Sequence, residues 1–358
     1  MPLSPRERLL RTLRFEPVDR PPVVGGFARH PAFIAEAAGV TVAEFWKSPR
    51  RTAIAAFKAL GADVMLALIL PDPNSEACAQ VVHKVQTTFH SPEDVRDYAL
   101  ALPPPEAVRA GFDADACRAE YLKDALEVQA MCGDVPWIPN GVHRNCPIFD
   151  WVSEFGYENY LMALTLYPEA MERVFAHDGE RAFLMNQVVA AATRDAGLVP
   201  VVWTGSDACD NRGPYVKPEL MERIYFPHLR RALSPLREAG LTLLWHSDGY
   251  IPPLVPALLA AGIDGFQGLQ EKIETCIDVA ALDRLRTAAG RRPVFVGSIS
   301  STVTMPFGTP DDVRGEVRRW QRFAQERGGG VLLNFSSSLG PEVPKANIYA
   351  FYEAAQQA

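Results

Sequence analysis

The sequence is short of cysteine, of basic clusters and of long apolar runs, and each shortage removes a class of function. Six cysteines (Cys78, Cys117, Cys132, Cys146, Cys209 and Cys276) stand far apart in 358 residues, and no two form a CxxC pair. That spacing excludes a disulfide framework and a zinc knuckle, and reads as reduced, mostly buried thiols. Lys and Arg number 36 against 43 Asp and Glu, a net charge of −7 without a basic block. A mildly acidic chain is a poor polyanion binder, so no nucleic-acid partner is expected. The apolar runs are short, as at Val64-Met65-Leu66-Ala67-Leu68-Ile69-Leu70, where about 18 residues would be needed to cross a bilayer. The opening MPLSPRERLLRTLRF alternates charge with leucine and lacks the apolar centre of a signal peptide. A cytoplasmic protein without a membrane partner is expected. GxGxxG after a strand, GxxxxGK[ST], GxSxG and HExxH are all missing, which argues against nicotinamide, P-loop and serine-hydrolase chemistry.

What is present is a rhythm. Ser4, Pro5 and Glu7 have the pattern of a helix start with a capping box. After it come eight apolar runs, at 22–25, 62–70, 135–141, 198–204, 241–246, 262–269, 293–297 and 330–335. They mostly do not alternate, so they read as strands buried on both faces, as a parallel sheet requires. Helical patterns separate the later runs, at 218–240, 252–261, 277–289 and 309–327, with glycines where helix gives way to strand. Eight such strands imply a (β/α)8 TIM barrel, α/β in class, as one domain over 1–358 with an N-terminal helix. Two stretches depart from the repeat and read as insertions over the barrel mouth. One is a strand or hairpin over 81–89 with the helical SPEDVRDYA behind it. The other is one or two long helices over 149–186.

In this architecture the chemistry lies at the C-terminal strand ends. The residues there are Arg29 after the first run, Asn140, His143 and Arg144 after the third, and Trp203, Asp207 and Asp210 after the fourth. His246 and Asp248 follow the fifth, Gln267 and Gln270 the sixth, and Asn334 the eighth. His246 is the sharpest candidate, because an imidazole at a strand end can bind a metal or move a proton near neutral pH. Asp248 lies two residues on and shares its face if the strand continues; otherwise both merely cap the next helix. Asp207 and Asp210 form an acidic pair that could hold a cation, orient a hydroxyl, act as a base, or simply make Asx turns. Two carboxylates and a histidine that converge make a credible hard-metal or zinc site. His143 and Arg144 could meet an anionic substrate group. His177 and His228 fall in helical patterns and read as structural; His30, His83 and His90 carry weaker signals still.

Four stretches now carry a resemblance: RERLLRTLRFEPVDRPPV, then KPELMERIYFPHLRRALSPLREAGLTLLWHSDGYIPPLVPALLAAGIDGFQGLQ, then VGSISSTVTMPFGTPDDVRGEVRRW, then GPEVPKANIYAF. In this order they resemble the uroporphyrinogen decarboxylase superfamily, most strongly over 199–355. The resemblance implies a (β/α)8 barrel and either decarboxylation or corrinoid-dependent methyl transfer. FDWVSEFGYENYLMALTLYPEAMERVF is similar to the methyltransferase-like branch. The decarboxylases carry an Arg-rich loop like MRQAGR after the first strand and an acid after the second; here stand GGFARHP, with Arg29 alone, and LALIL. Zinc-dependent methyltransferases of the superfamily use His-x-Cys and a later Cys; here those positions hold His246, Asp248 and Ser337. The resemblance therefore implies an O-demethylase-like methyltransferase. His246, Asp248 and Asp207 would be its catalytic residues, with a divalent metal such as zinc on His246 and Asp248. A small O-methylated substrate would meet Arg29, Asn140, His143, Arg144, Trp203, Asp210, Gln267, Gln270 and Asn334. A corrinoid would arrive on a partner protein, since no DxHxxG signature is present, and a homodimer is implied by the resemblance alone. The alternatives are a decarboxylase or lyase that clamps a small acid with Arg29, Arg144 and Arg212, and a barrel that binds without turnover.

Overall fold

A computed structural model describes residues 3–72, 87–272 and 276–357. Cys78, His83 and most of the strand or hairpin expected over 81–89 lie outside the described residues. Ser4 opens the first helix, Pro5–Leu13, by accepting the Glu7 N–H at 3.2 Å. The other half of the expected capping box is replaced by an ion pair, as Glu7 reaches Arg11 one turn on at 2.8 Å.

Each apolar run yields a strand shorter than itself, inside the run except that β4 reaches one residue past its end: β1 (Val24–Gly25), β2 (Val64–Leu66), β3 (Trp137–Ile138), β4 (Val201–Gly205), β5 (Thr242–His246), β6 (Gly265–Gln267), β7 (Val294–Val296) and β8 (Val331–Leu332). All pair in parallel, β1 to β3 in one sheet and β4 to β8 in another, each in chain order. Parallel bridges join the sheets at both edges, Asn140 to Trp203 and Val23 to Leu333. Gly141 N–H donates to Trp203 O at 3.0 Å, and Val24 N–H to Leu333 O at 2.9 Å. The ring is thereby closed, as a (β/α)8 barrel requires. Strand side chains from β1 to β8 are almost all buried, which explains why the runs do not alternate.

The helical layer differs from expectation in detail. The stretch over 149–186 divides into Val152–Phe155, Tyr157–Leu166 and Pro168–Asp195. The last, 28 residues long, is not an insertion over the mouth. It is the crossover between β3 and β4, packed against the helices Ala114–Cys132 and Phe226–Glu238. The helix expected over 218–240 breaks at Tyr225 into Pro218–Ile224 and Phe226–Glu238. Pro227 accounts for the break, since it has no N–H to donate to the carbonyl four residues back and so suits only the first turn of a new helix. Over 277–289 only Val279–Asp283 becomes helical, after which the Asp283 carboxylate is drawn to Arg292 and Arg327. No helix among the described residues is long and apolar enough to cross a membrane. The five described cysteines are unpaired, and Cys132, Cys146 and Cys209 are buried.

Candidate active site

The site begins with a choice of hydrogen-bond partners. Gln267, wholly buried at the end of β6, donates its amide nitrogen to the carbonyls of Phe335 and Ser336 at 3.3 and 2.9 Å. Two acceptors on one side fix the amide, so its oxygen faces His246 Nδ1 at 2.6 Å. Nδ1 must then carry a proton, so in the neutral ring it is Nε2 that holds the lone pair. That lone pair belongs to the atom 3.9 Å from Asp207 Oδ1. Asp207 is itself held from the loop that follows β5, where the Asp248 N–H donates to its Oδ1 at 2.8 Å. Asp248 accepts Ser337 Oγ on Oδ2 at 3.2 Å, and its Oδ1 is buried without a partner among the described residues.

One ligand atom each from Asp207, His246 and Asp248 lies within 4.8 Å of the others. Small residues make this approach possible. A Cβ on Gly205 would stand 2.0 Å from the His246 carbonyl oxygen. Gly268 takes φ +98°, where a Cβ would also meet Ser247 O at 2.5 Å. Burial pushes the Asp248 carboxyl above the usual range; His246 pulls it down and Asp207 adds to the rise. A cation between the three would relieve both the orphaned oxygen and the repulsion between the acids. The donor set of one imidazole and two carboxylates suits a hard or borderline divalent ion. The nearby Cys209 is a poor competitor as a soft thiolate ligand, since burial pushes its thiol up to about 12.

Beside this group stands a second histidine–aspartate pair. His143 Nε2 lies 2.7 Å from Asp150 Oδ1. Ser206 Oγ donates to the same carboxylate and accepts the N–H groups of Phe149 and Asp150 at 2.7 and 3.1 Å. The bond to Asp150 holds the His143 imidazolium above its ordinary value against the effect of burial. Burial pushes Asp150 up, but His143 and Ser206 outweigh it and keep the carboxyl below the usual range. Sequence reading misses Asp150 and Ser206, because Asp150 lies on the long loop after β3, away from any strand end, and Ser206 is masked by Asp207 beside it.

The other expected residues separate into two sets. Trp203 packs its ring 5.3 Å from that of His246 and 5.7 Å from Phe27. Trp203 Nε1, Arg29 Nε and both amide atoms of Asn334 are buried without partners among the described residues. Phe335 packs outward on Phe351 and Tyr352, so alternation turns Asn334 toward the barrel interior. The second set has local work. Asn140 Oδ1 accepts the Val142 N–H at 3.0 Å, an Asx turn. Arg144 lies over the Tyr121 ring at 5.3 Å and lines a separate cavity of about 320 Å³ with Glu120 and Met185. Asp210 pairs with the exposed Arg212 at 2.9 Å and caps its backbone at 2.7 Å. The Gln270 carbonyl receives the Ile277 N–H at 2.9 Å. The three-arginine clamp of the lyase alternative is therefore not assembled, because Arg144 and Arg212 are drawn to nearer partners. His177 and His228 lie on helices beside Asp178 and Glu172, and His30 caps Pro31–Ala37 by accepting the Phe33 N–H at 3.2 Å.

The family model described as "Uroporphyrinogen decarboxylase (URO-D)" matches residues 153–358, more than half of the chain. No curated protein matches. Among solved structures, a methyltransferase from Methanosarcina mazei is similar over 99% of this chain and 98% of its own, with a TM-score of 0.62 and 18% sequence identity. At that identity the likeness speaks for the fold.

Proposed function

Because the chain belongs to the uroporphyrinogen decarboxylase (URO-D) family, we propose that it is an enzyme, a methyltransferase that moves a methyl group from a small O-methylated substrate to a corrinoid carried by a partner protein. The observation that carries this reading is the convergence of Asp207, His246 and Asp248. An oxygen-rich group at that place suits an oxygen substrate, where a cysteine-rich one would suit a thiol. The three residues would hold a divalent metal, zinc first, leaving a position open for the substrate. When bound, the ion would supply Lewis-acid polarisation of the substrate oxygen.

The chain's own residues do the rest. Gln267 sets the His246 tautomer and anchors the loop after β8. The Asp248 N–H aims Asp207, and Ser337 aims Asp248. Arg29, Trp203 and Asn334 offer unpaired polar atoms to the bound substrate. The M. mazei neighbour adds that a chain of this fold can be a methyltransferase. Elemental analysis of the purified protein tests the reading: one divalent ion per chain is expected, lost in His246→Ala and in Asp207→Ala. A metal-free wild-type chain, or a variant that keeps its metal, would overturn the assignment.

A further inference from the structure

The His143–Asp150 pair takes no part in the three-residue group, yet its geometry is as constrained. The backbone turns back at His143 with φ 60°, a left-handed conformation that side chains adopt only against steric opposition. The His143 N–H is bound to Gly205 O at 3.2 Å, at the end of β4 and directly before Ser206 and Asp207. Asp150 is the more buried member, with 17% of its side chain exposed, while 42% of the His143 side chain remains open. Nε2 is committed to Asp150, and Nδ1 has no partner among the described residues. The charges that weigh most on the ring are carboxylates, Asp150 first, then Asp207 and Asp178. The imidazole is thus fixed at Nε2 by a carboxylate that favours its charged form, and its backbone is tied to the end of the strand that leads into Asp207, with Nδ1 left open.

We propose that His143, oriented by Asp150, is the proton donor to the leaving oxygen of the substrate. This rests on the methyl-transfer reading. As the C–O bond breaks, its electron pair stays on oxygen and the Nδ1 proton passes to that oxygen. The methyl carbon leaves to the super-reduced corrinoid acceptor, which supplies the pair for the new bond. His143 recovers its proton from solvent through its open face.

The test uses 4-nitrophenolate as a stand-in for the leaving oxyanion and 4-nitroanisole as its uncharged ether, both titrated into the full chain. His143→Asn is the variant of choice, because Asn tolerates the left-handed backbone but supplies no acid. Wild type should bind the phenolate saturably, and His143→Asn should weaken it roughly tenfold or more, the scale of one charge-assisted hydrogen bond, while 4-nitroanisole binds both alike. Asp150→Asn should weaken the phenolate as well and lower the midpoint of the His143 ring titration seen by NMR. Absent phenolate binding, equal binding in His143→Asn, or parallel loss of the ether would overturn the proposal. Metal content of the same samples separates the two readings. His143→Asn should keep its metal, whereas a metal-free chain that binds phenolate through His143 would sink the metal assignment alone.

Discussion

Gln267 does for His246 what an acceptor on the far ring nitrogen does for any metal-ligating histidine: it settles the tautomer and holds the plane of the ring. Gln267→Leu keeps the volume and removes both functions. Metal affinity should fall roughly 10–100-fold, measured by competition with a chelator, while the chain still unfolds in one step. His143 gives the second effect at this scale, and its sign follows from the raised value of its imidazolium. A group raised in the folded state stabilises fully below its unfolded value, about pH 6.5, and loses that contribution as pH rises through the folded one. Urea titrations of wild type and His143→Asn should therefore differ more at pH 5.5 than at pH 8.5. A difference that grows with pH would mean that the imidazole is neutral in the fold.

The long crossover helix Pro168–Asp195 shows what a single element can and cannot reveal. Its start after Tyr167 is legible, since Pro168 marks a first turn. Its place is not, because periodicity shows which side is apolar and not what that side covers. The answer lies in Asn186, wholly buried on this helix. Asn186 accepts from Asn145 Nδ2 at 2.6 Å and donates to Asn145 O and Ala232 O at 3.0 and 2.7 Å. One amide thus ties the crossover helix to the loop after β3 and to the helix Phe226–Glu238. Asn186→Leu would strand Asn145 Nδ2 and two carbonyls in the interior. The expected loss is roughly 3 kcal/mol, read as a shift in the urea midpoint at an unchanged slope. A loss under about 1 kcal/mol would show that the loop relaxes to pair elsewhere.

For the whole molecule, legibility follows the distance over which the deciding interaction acts. The eight strands could be read because burial on both faces leaves unbroken apolar runs. Asp207, His246 and Asp248 could be read because strand ends in a barrel point to one mouth. Asp150 could not, since a loop has no period, and no sequence pattern shows that Tyr121 and Asp210 engage Arg144 and Arg212 locally. Least legible of all is how the ring closes. Asp63, just before β2, accepts Arg8 at 2.6 Å, Arg20 at 2.5 Å and the Val23 N–H at 2.9 Å. It joins the first helix, the segment leading into β1 and the start of β2, with Arg8 and Asp63 almost wholly buried. Asp63→Ala would leave Arg8 among apolar neighbours with only Asp19 to balance it, at 2.7 Å. Breaking a buried pair from one side costs about 3–5 kcal/mol, far above a surface ion pair, and here the segment at stake closes β1 onto β8. Asp63→Ala should accordingly lose that much stability and expose the amides of Val23 and Val24 to hydrogen exchange ahead of those in β4 and β5. Uniform exchange across all eight strands would instead mean that the ring opens only when the whole barrel unfolds.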